Sequence, residues 1–209
     1  MPINTYIAGP IDANNYLVYD NASRDAVLID CSDYMPDLIL FTEQKRINVK
    51  YILLTHGHFD HVLGVNKMKN ELNAKVFIHK EDIPFTKNIQ AQMDFFGMYE
   101  DNYDVIQVDD TINSSKNLYL GEEKIEIFET PGHTMGSVSY KIGNALFSGD
   151  TLFRGSVGRT DLLGGNFRDI IHSVKDVLFT LSDDIVVFPG HGDSTTIREE
   201  KQFNDIIKY

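Results

Sequence analysis

The sequence predicts an α/β protein, and three observations carry that expectation. Short apolar runs rich in β-branched and aromatic residues recur along the chain, helical patterns are interleaved with them, and no Pro- or Ser-rich linker interrupts the 209 residues. Strands alternating with helices bury their apolar faces by stacking in layers. At roughly 150 residues per domain, this length reads as one large domain over 1–209. The 42% of apolar residues is ample for its core.

Taken in order, the strand signals fall at 5–8, 16–19, 26–29, 51–54, 76–78, 124–128, 138–140, 145–147 and 185–188. Most are bounded by Gly, Asp or Asn, residues that favour turns between strands. The clearest helical signal spans 167–181, where Ile170, Ile171, Val174, Val177, Leu178 and Leu181 recur on one face. Further helices are expected at 37–46, 62–72 and 195–204, and residues 80–104 read as short helices and loop.

Composition narrows the function. Nineteen Lys and Arg against 31 Asp and Glu leave a net charge of −12. Such a chain is repelled by phosphate backbones and anionic bilayers, so neither nucleic acid nor membrane is expected as a partner. A small-molecule substrate is, while oligomeric state is not legible. Cys31 is the only cysteine, which excludes an internal disulfide or a thiolate cage and suits a reducing compartment. No basic-then-apolar leader opens the chain, and no run approaches the roughly 18 apolar residues of a membrane span, so a cytoplasmic location is expected. Cys31 itself reads as a small buried residue.

The chemistry lies in the histidines. Thr55-His56-Gly57-His58-Phe59-Asp60-His61 follows a strand signal and precedes a helical one, placing four candidate metal ligands within six positions. In extended backbone, side chains two apart point the same way, so His56 and His58 converge on one ion. Once the chain turns, Asp60 and His61 point toward a second, and Gly57 allows the tight geometry between. Three more candidates follow strand signals, each behind a glycine: His133 in Pro131-Gly132-His133, Asp150 in Ser148-Gly149-Asp150, and His191 in Pro189-Gly190-His191. Packing does not require such a set, and burying it without a cation would be costly. The other two histidines read differently: His79 caps the segment after its strand, and His172 is solvated. Asp30, after the third strand signal, is either a turn residue or a partner that orients a ligand imidazole.

His56-Gly57-His58-Phe59-Asp60-His61, followed in order by His133, Asp150 and His191, resembles the metallo-β-lactamase superfamily over nearly the whole chain. Within it, Ser148 to Phe153, Gly158-Arg159-Thr160-Asp161 and Thr195 to Lys201 are similar to the short single-domain glyoxalase II-like hydrolases. The resemblance implies a four-layer αββα sandwich with a dinuclear centre at one edge of the sheets. His56, His58 and His133 would hold one ion, Asp60, His61 and His191 the other, and Asp150 would bridge them. A donor set of imidazole and carboxylate suits Zn²⁺, with Fe or Mn as alternatives. The implied reaction is attack on a carbonyl by metal-bound hydroxide, formed as the pKa of water falls from about 15.7 toward about 7. Asp60 would orient the nucleophile and take its proton.

The implied substrate is a thioester of glutathione or a similar thiol. The chain departs from the long glyoxalase II pattern in three places: it stops at Tyr209 without the helical extension, carries Arg159-Thr160-Asp161 where that pattern has a lysine–aromatic–tyrosine stretch, and follows His191 with Gly192 rather than tyrosine. Recognition of glutathione therefore stays open. Arg159 either pairs with a substrate carboxylate or with Asp161, Phe153 and Tyr99 either line an apolar entrance or belong to the core, and 91–104 either forms a flap or packs locally. The rival readings are an iron-dependent persulfide dioxygenase, whose family also resembles Gly158 to Asp161, and a phosphodiesterase or nuclease, which the acidic charge opposes. A secreted β-lactamase is disfavoured by the missing leader and by Asp150, and a non-catalytic metal site is the bland alternative.

Overall fold

A computed structural model describes residues 1–98 and 103–207. Tyr99, and with it part of the 91–104 segment, lies outside the described residues. The chain divides into two compact units, Met1–Ile112 and Asn113–Tyr209. The division falls between two short strands, Asp110–Ile112 and Leu118–Leu120.

Unit 1 holds a six-stranded sheet in sequential order: β1 (Ile3–Ala8), β2 (Ala13–Tyr19), β3 (Asp25–Ile29), β4 (Asn48–Leu53), β5 (Lys75–His79) and β6 (Asp110–Ile112). β1 to β3 pair antiparallel and β3 to β6 parallel. β2, β3 and β5 are buried almost throughout, as strands covered on both faces must be. Helices α1 (Pro36–Lys45) and α3 (Val65–Leu72) place Leu38, Val65 and Met68 in one core with Leu28, Ile52, Val76 and Ile78. Between β3 to β5 the polypeptide always returns to start a parallel strand, so Asp30, the His56 segment and Asp82 all follow strand ends on one edge. In open α/β sheets that carboxyl edge is where ligands bind.

The helix expected at 62–72 is two, α2 (Phe59–Val62) and α3. They break at Gly64, whose N–H bonds the Cys31 carbonyl at 2.9 Å and where a Cβ would stand 2.0 Å from the Asp33 carbonyl oxygen. Residues 80–98 contain a 3₁₀ turn (Lys80–Asp82), α4 (Ile83–Lys87) and α5 (Ile89–Phe95).

Unit 2 builds a second six-stranded sheet from β7 (Leu118–Leu120), β8 (Glu123–Glu129), β9 (Val138–Ile142), β10 (Ala145–Gly149), β13 (Val186–Pro189) and β14 (Thr195–Thr196), in the order β14-β13-β10-β9-β8-β7. β11 (Leu152–Phe153) and β12 (Ser156–Val157) form a separate hairpin. β8, β10 and β13 run in the same direction, so His133, Asp150 and His191 leave one edge. The expected helix at 167–181 is α6 (Phe167–His172), a π turn (Ser173–Val177) and a 3₁₀ turn (Leu178–Thr180). Its buried members Ile170, Val174 and Leu178 are spaced by four, which overruns a 3.6-residue turn. A wider π turn keeps Val174 and Leu178 over Leu146, Val187 and Ile197. The expected helix at 195–204 starts two residues later as α7 (Ile197–Phe203), with Thr195 and Thr196 in β14 and the Thr196 hydroxyl accepting from the Glu199 N–H. Among the described residues, no helix is long and apolar enough to cross a membrane.

Candidate metal centre

The end of β4 sets the first ligand group. Leu54 N–H still reaches across to the Phe77 carbonyl, and Thr55 N–H then donates to Asp30 Oδ1 at 2.7 Å. The backbone is extended at His58 (φ −69°, ψ 147°) and then enters α2. His56 and His58 therefore share a side, with ring centroids 4.9 Å apart, and the turn brings His61 to 4.2 Å from His56. His61 Nε2 stands 3.3 Å from Asp60 Oδ2. All four side chains are buried. Unit 1 thus brings together His56, His58, Asp60 and His61.

Asp30 is a turn residue and also the partner of a candidate imidazole. Its φ of 58° makes it a left-handed turn residue, and its carboxylate accepts from His61 Nδ1 at 2.9 Å as well as from Thr55. The Thr55 hydroxyl donates its one hydrogen to Asp30 Oδ2 at 2.8 Å, so the 3.0 Å contact with His56 Nδ1 requires the histidine to donate. One buried carboxylate thereby fixes two imidazoles with hydrogen on Nδ1 and the lone pair on Nε2.

Unit 2 reaches the same result with backbone. His133 Nδ1 lies 2.8 Å from the Arg159 carbonyl oxygen, which only accepts, so His133 also presents its Nε2 lone pair. That Nε2 is 3.5 Å from Asp150 Oδ2, and His191 Nε2 is 3.8 Å from the same oxygen. His133 and Asp150 are buried, whereas the His191 side chain keeps 26% of its exposure and is the solvent-facing member. The close approach that aims the Arg159 carbonyl needs glycine before it: a Cβ on Gly158 would stand 1.8 Å from the Asp150 carbonyl oxygen.

The remaining expected residues divide. Phe153 lies at the site, its ring edge-on to His191 at 6.4 Å. The Arg159 guanidinium is held by Asp161 through two hydrogen bonds of 2.7 and 2.8 Å. That pairing lowers the Asp161 carboxyl to about 2 and raises Arg159. His79 accepts from Glu81 N–H at the start of the 3₁₀ turn, and exposed His172 pairs with Asp176 at 2.7 Å. Cys31 is wholly buried, and burial pushes its thiol well up. Asp82 and Gln92, which brace the histidine segment, carry no signal in the sequence, since they meet its backbone groups from far along the chain, and Thr55 carries none because its carboxylate partner is the equally remote Asp30.

The donor set fits a metal. It offers imidazole nitrogens with lone pairs directed at carboxylate oxygens, buried, and without thiolate, a combination suited to Zn, Fe or Mn. Two electron-pair donors facing each other in a buried setting repel unless a proton or a metal ion lies between them.

Comparison with known proteins agrees. The family model of the metallo-beta-lactamase superfamily matches residues 8–191. The chain belongs to the metallo-beta-lactamase superfamily. Among superfamily members, it is 33% identical to a hydroxyacylglutathione hydrolase, GloC, of Haemophilus influenzae, over 93% of this chain and 92% of that one. Of solved structures, the B3 metallo-beta-lactamase BLEG-1 matches with a TM-score of 0.89 and 30% identity, covering 100% of both chains. TTHA1623, solved in a di-iron-bound form, matches with a TM-score of 0.85 and 32% identity, covering 97% of this chain and 98% of that one. The superfamily's α/β fold, expected from the histidine motif, is the fold of this chain, and His and Asp residues able to bind metal are present in both units.

Proposed function

We propose that the protein is a dinuclear-metal hydrolase that cleaves a thioester of a glutathione-like thiol. In this reading His56, His58 and His133 would hold one ion and Asp60, His61 and His191 the other, with Asp150 available to both. The observation that carries it is the set of three buried imidazoles whose Nδ1 atoms are hydrogen-bonded to Thr55, Asp30 and Arg159, so that each turns Nε2 inward. Metal-ligating histidines are held in this way by their outer nitrogen. When bound, a pair of divalent ions supplies Lewis acidity that polarises a carbonyl and lowers the pKa of water.

The chain's own residues do the rest. The Asp60 carboxylate, beside His61 Nε2, orients the attacking water and receives its proton. Phe153, beside the solvent-facing His191, lines the approach of the acyl group. The thioester substrate is supported by the relative named a hydroxyacylglutathione hydrolase, zinc by the donor set, and iron as its alternative by the di-iron relative. A small-molecule substrate and a cytoplasmic setting complete the proposal, the latter suiting a buried thiol with no disulfide partner.

The test is a hydrolysis panel on metal-quantified protein: thioesters, β-lactams, lactones and phosphodiesters, with oxygen uptake on glutathione persulfide run in parallel. Thioester turnover that falls about 10²–10⁴-fold in Asp60→Asn is expected. Equal turnover in that variant would reject the mechanism. Oxygen consumption with one bound iron would replace hydrolysis by persulfide oxidation, and dominant β-lactam turnover would align the chain with its B3 neighbour.

A further inference from the structure

Gln92 sits on α5, in the part of the chain whose sequence reads least clearly, yet its carboxamide grips the histidine segment at two points. Its Oε1 accepts from the Phe59 N–H at 3.1 Å, and its Nε2 donates to the Gly57 carbonyl at 3.3 Å and to the Phe85 carbonyl at 3.0 Å. The Gly57 carbonyl and the Phe59 N–H belong to the two peptide groups that flank the His58 Cα. One planar amide therefore brackets His58, donating before it and accepting after it, as a neighbouring strand would.

The surroundings leave that backbone little freedom. Asp82 Oδ2 accepts from the Gly57 N–H at 2.8 Å. A Cβ on Gly57 would meet Phe85 Cβ at 2.7 Å, so α4 passes directly against the glycine. The His58 ring lies edge-on to Phe85 at 5.3 Å. Backbone and ring of His58 are thus held by separate contacts, and Gln92 touches both flanking peptides.

We propose that Gln92 is a positioning residue for the ion bound by His58: it sets the φ and ψ from which the imidazole is aimed. This rests on the dinuclear reading above and adds a determinant outside the ligand set. Asp30 meets the His61 ring directly and the His56 ring through the Thr55 hydroxyl; Gln92 orients His58 through the main chain. A loss at Gln92 should therefore weaken one ion before the other, whereas a general loosening of the unit would weaken both.

The experiment is zinc titration of metal-stripped protein against a chromophoric chelator, with thermal unfolding of the metal-free form alongside. Gln92→Met keeps side-chain length and helix preference but removes both amide functions. It should weaken one of the two zinc ions about tenfold or more while leaving the other near wild type. Gln92→Glu keeps the acceptor for Phe59 N–H but turns a carboxylate oxygen on the Gly57 and Phe85 carbonyls, so it should weaken the same ion at least as far; it also carries the test if the Met variant does not fold. Equal weakening of both ions, or none, with wild type binding two, overturns the proposal by itself. A wild type that takes up no metal would remove the dinuclear reading and this inference together.

Discussion

The two units prepare their ligands in different ways. Unit 1 places four candidates within six consecutive residues and braces them with side chains from far along the chain, Asp30, Asp82 and Gln92. Unit 2 takes one candidate from each of three separated loops and braces His133 with a main-chain carbonyl aimed by a glycine. The first arrangement concentrates its chemistry in a short motif and is vulnerable wherever a supporting side chain is changed. The second disperses its chemistry and is indifferent to side-chain identity at the supporting position, provided the backbone can pass.

Gly158→Ala tests that contrast hardest. Its Cβ would be driven into the Asp150 backbone, which has no rotamer to escape by, so a loss of about 3 kcal/mol or more in stability is expected, with activity lost as well. Chemical denaturation reads it, and a wild-type midpoint would show that the close approach is not needed. Asp30→Ala is the counterpart in unit 1. It strands Thr55 N–H, the Thr55 hydroxyl and His61 Nδ1, at about 1–3 kcal/mol for a buried donor left unsatisfied. Metal affinity should fall about 10–100-fold, measurable by chelator competition.

Arg159→Ala sharpens the comparison from the other side. Only its carbonyl serves His133, and the exposed guanidinium is spent on Asp161, so zinc affinity should stay within about twofold of wild type. A larger loss of affinity would mean the side chain helps hold the carbonyl. If substrate KM alone rises, Arg159 exchanges Asp161 for a substrate carboxylate. The smallest effect concerns Cys31 and pH. Its thiol is raised in the folded state, so it contributes nothing adverse below the unfolded thiol pKa of about 8.5 and costs stability as pH climbs above it, where only the unfolded chain ionises. A denaturation series should show that decline in wild type and less of it in Cys31→Ala, and a thiol reagent should label the folded protein slowly.

Much of this was legible because it is local. Nine of the strands match apolar runs with turn residues at their ends, and the histidine segment needs no tertiary information to read as a ligand group. The shorter elements escaped: β6 and β7 have three residues each and β11, β12 and β14 two, too few to show a period. The helix expected over 167–181 was right in its buried face and wrong in its continuity, because spacing by four reads as helical whether the turn is α or π.

What the sequence determined by itself was which residue types stand at the ends of which strands, since covalent order and side-chain periodicity are carried along the chain. What only the tertiary structure decided was which partners those residues meet. Asp30 joins Thr55 and His61, Gln92 joins the peptides around His58, and Arg159 contributes its carbonyl while its guanidinium turns to Asp161. Such contacts depend on angles and distances between segments remote in the chain, and a backbone carbonyl has no letter in the sequence to mark it.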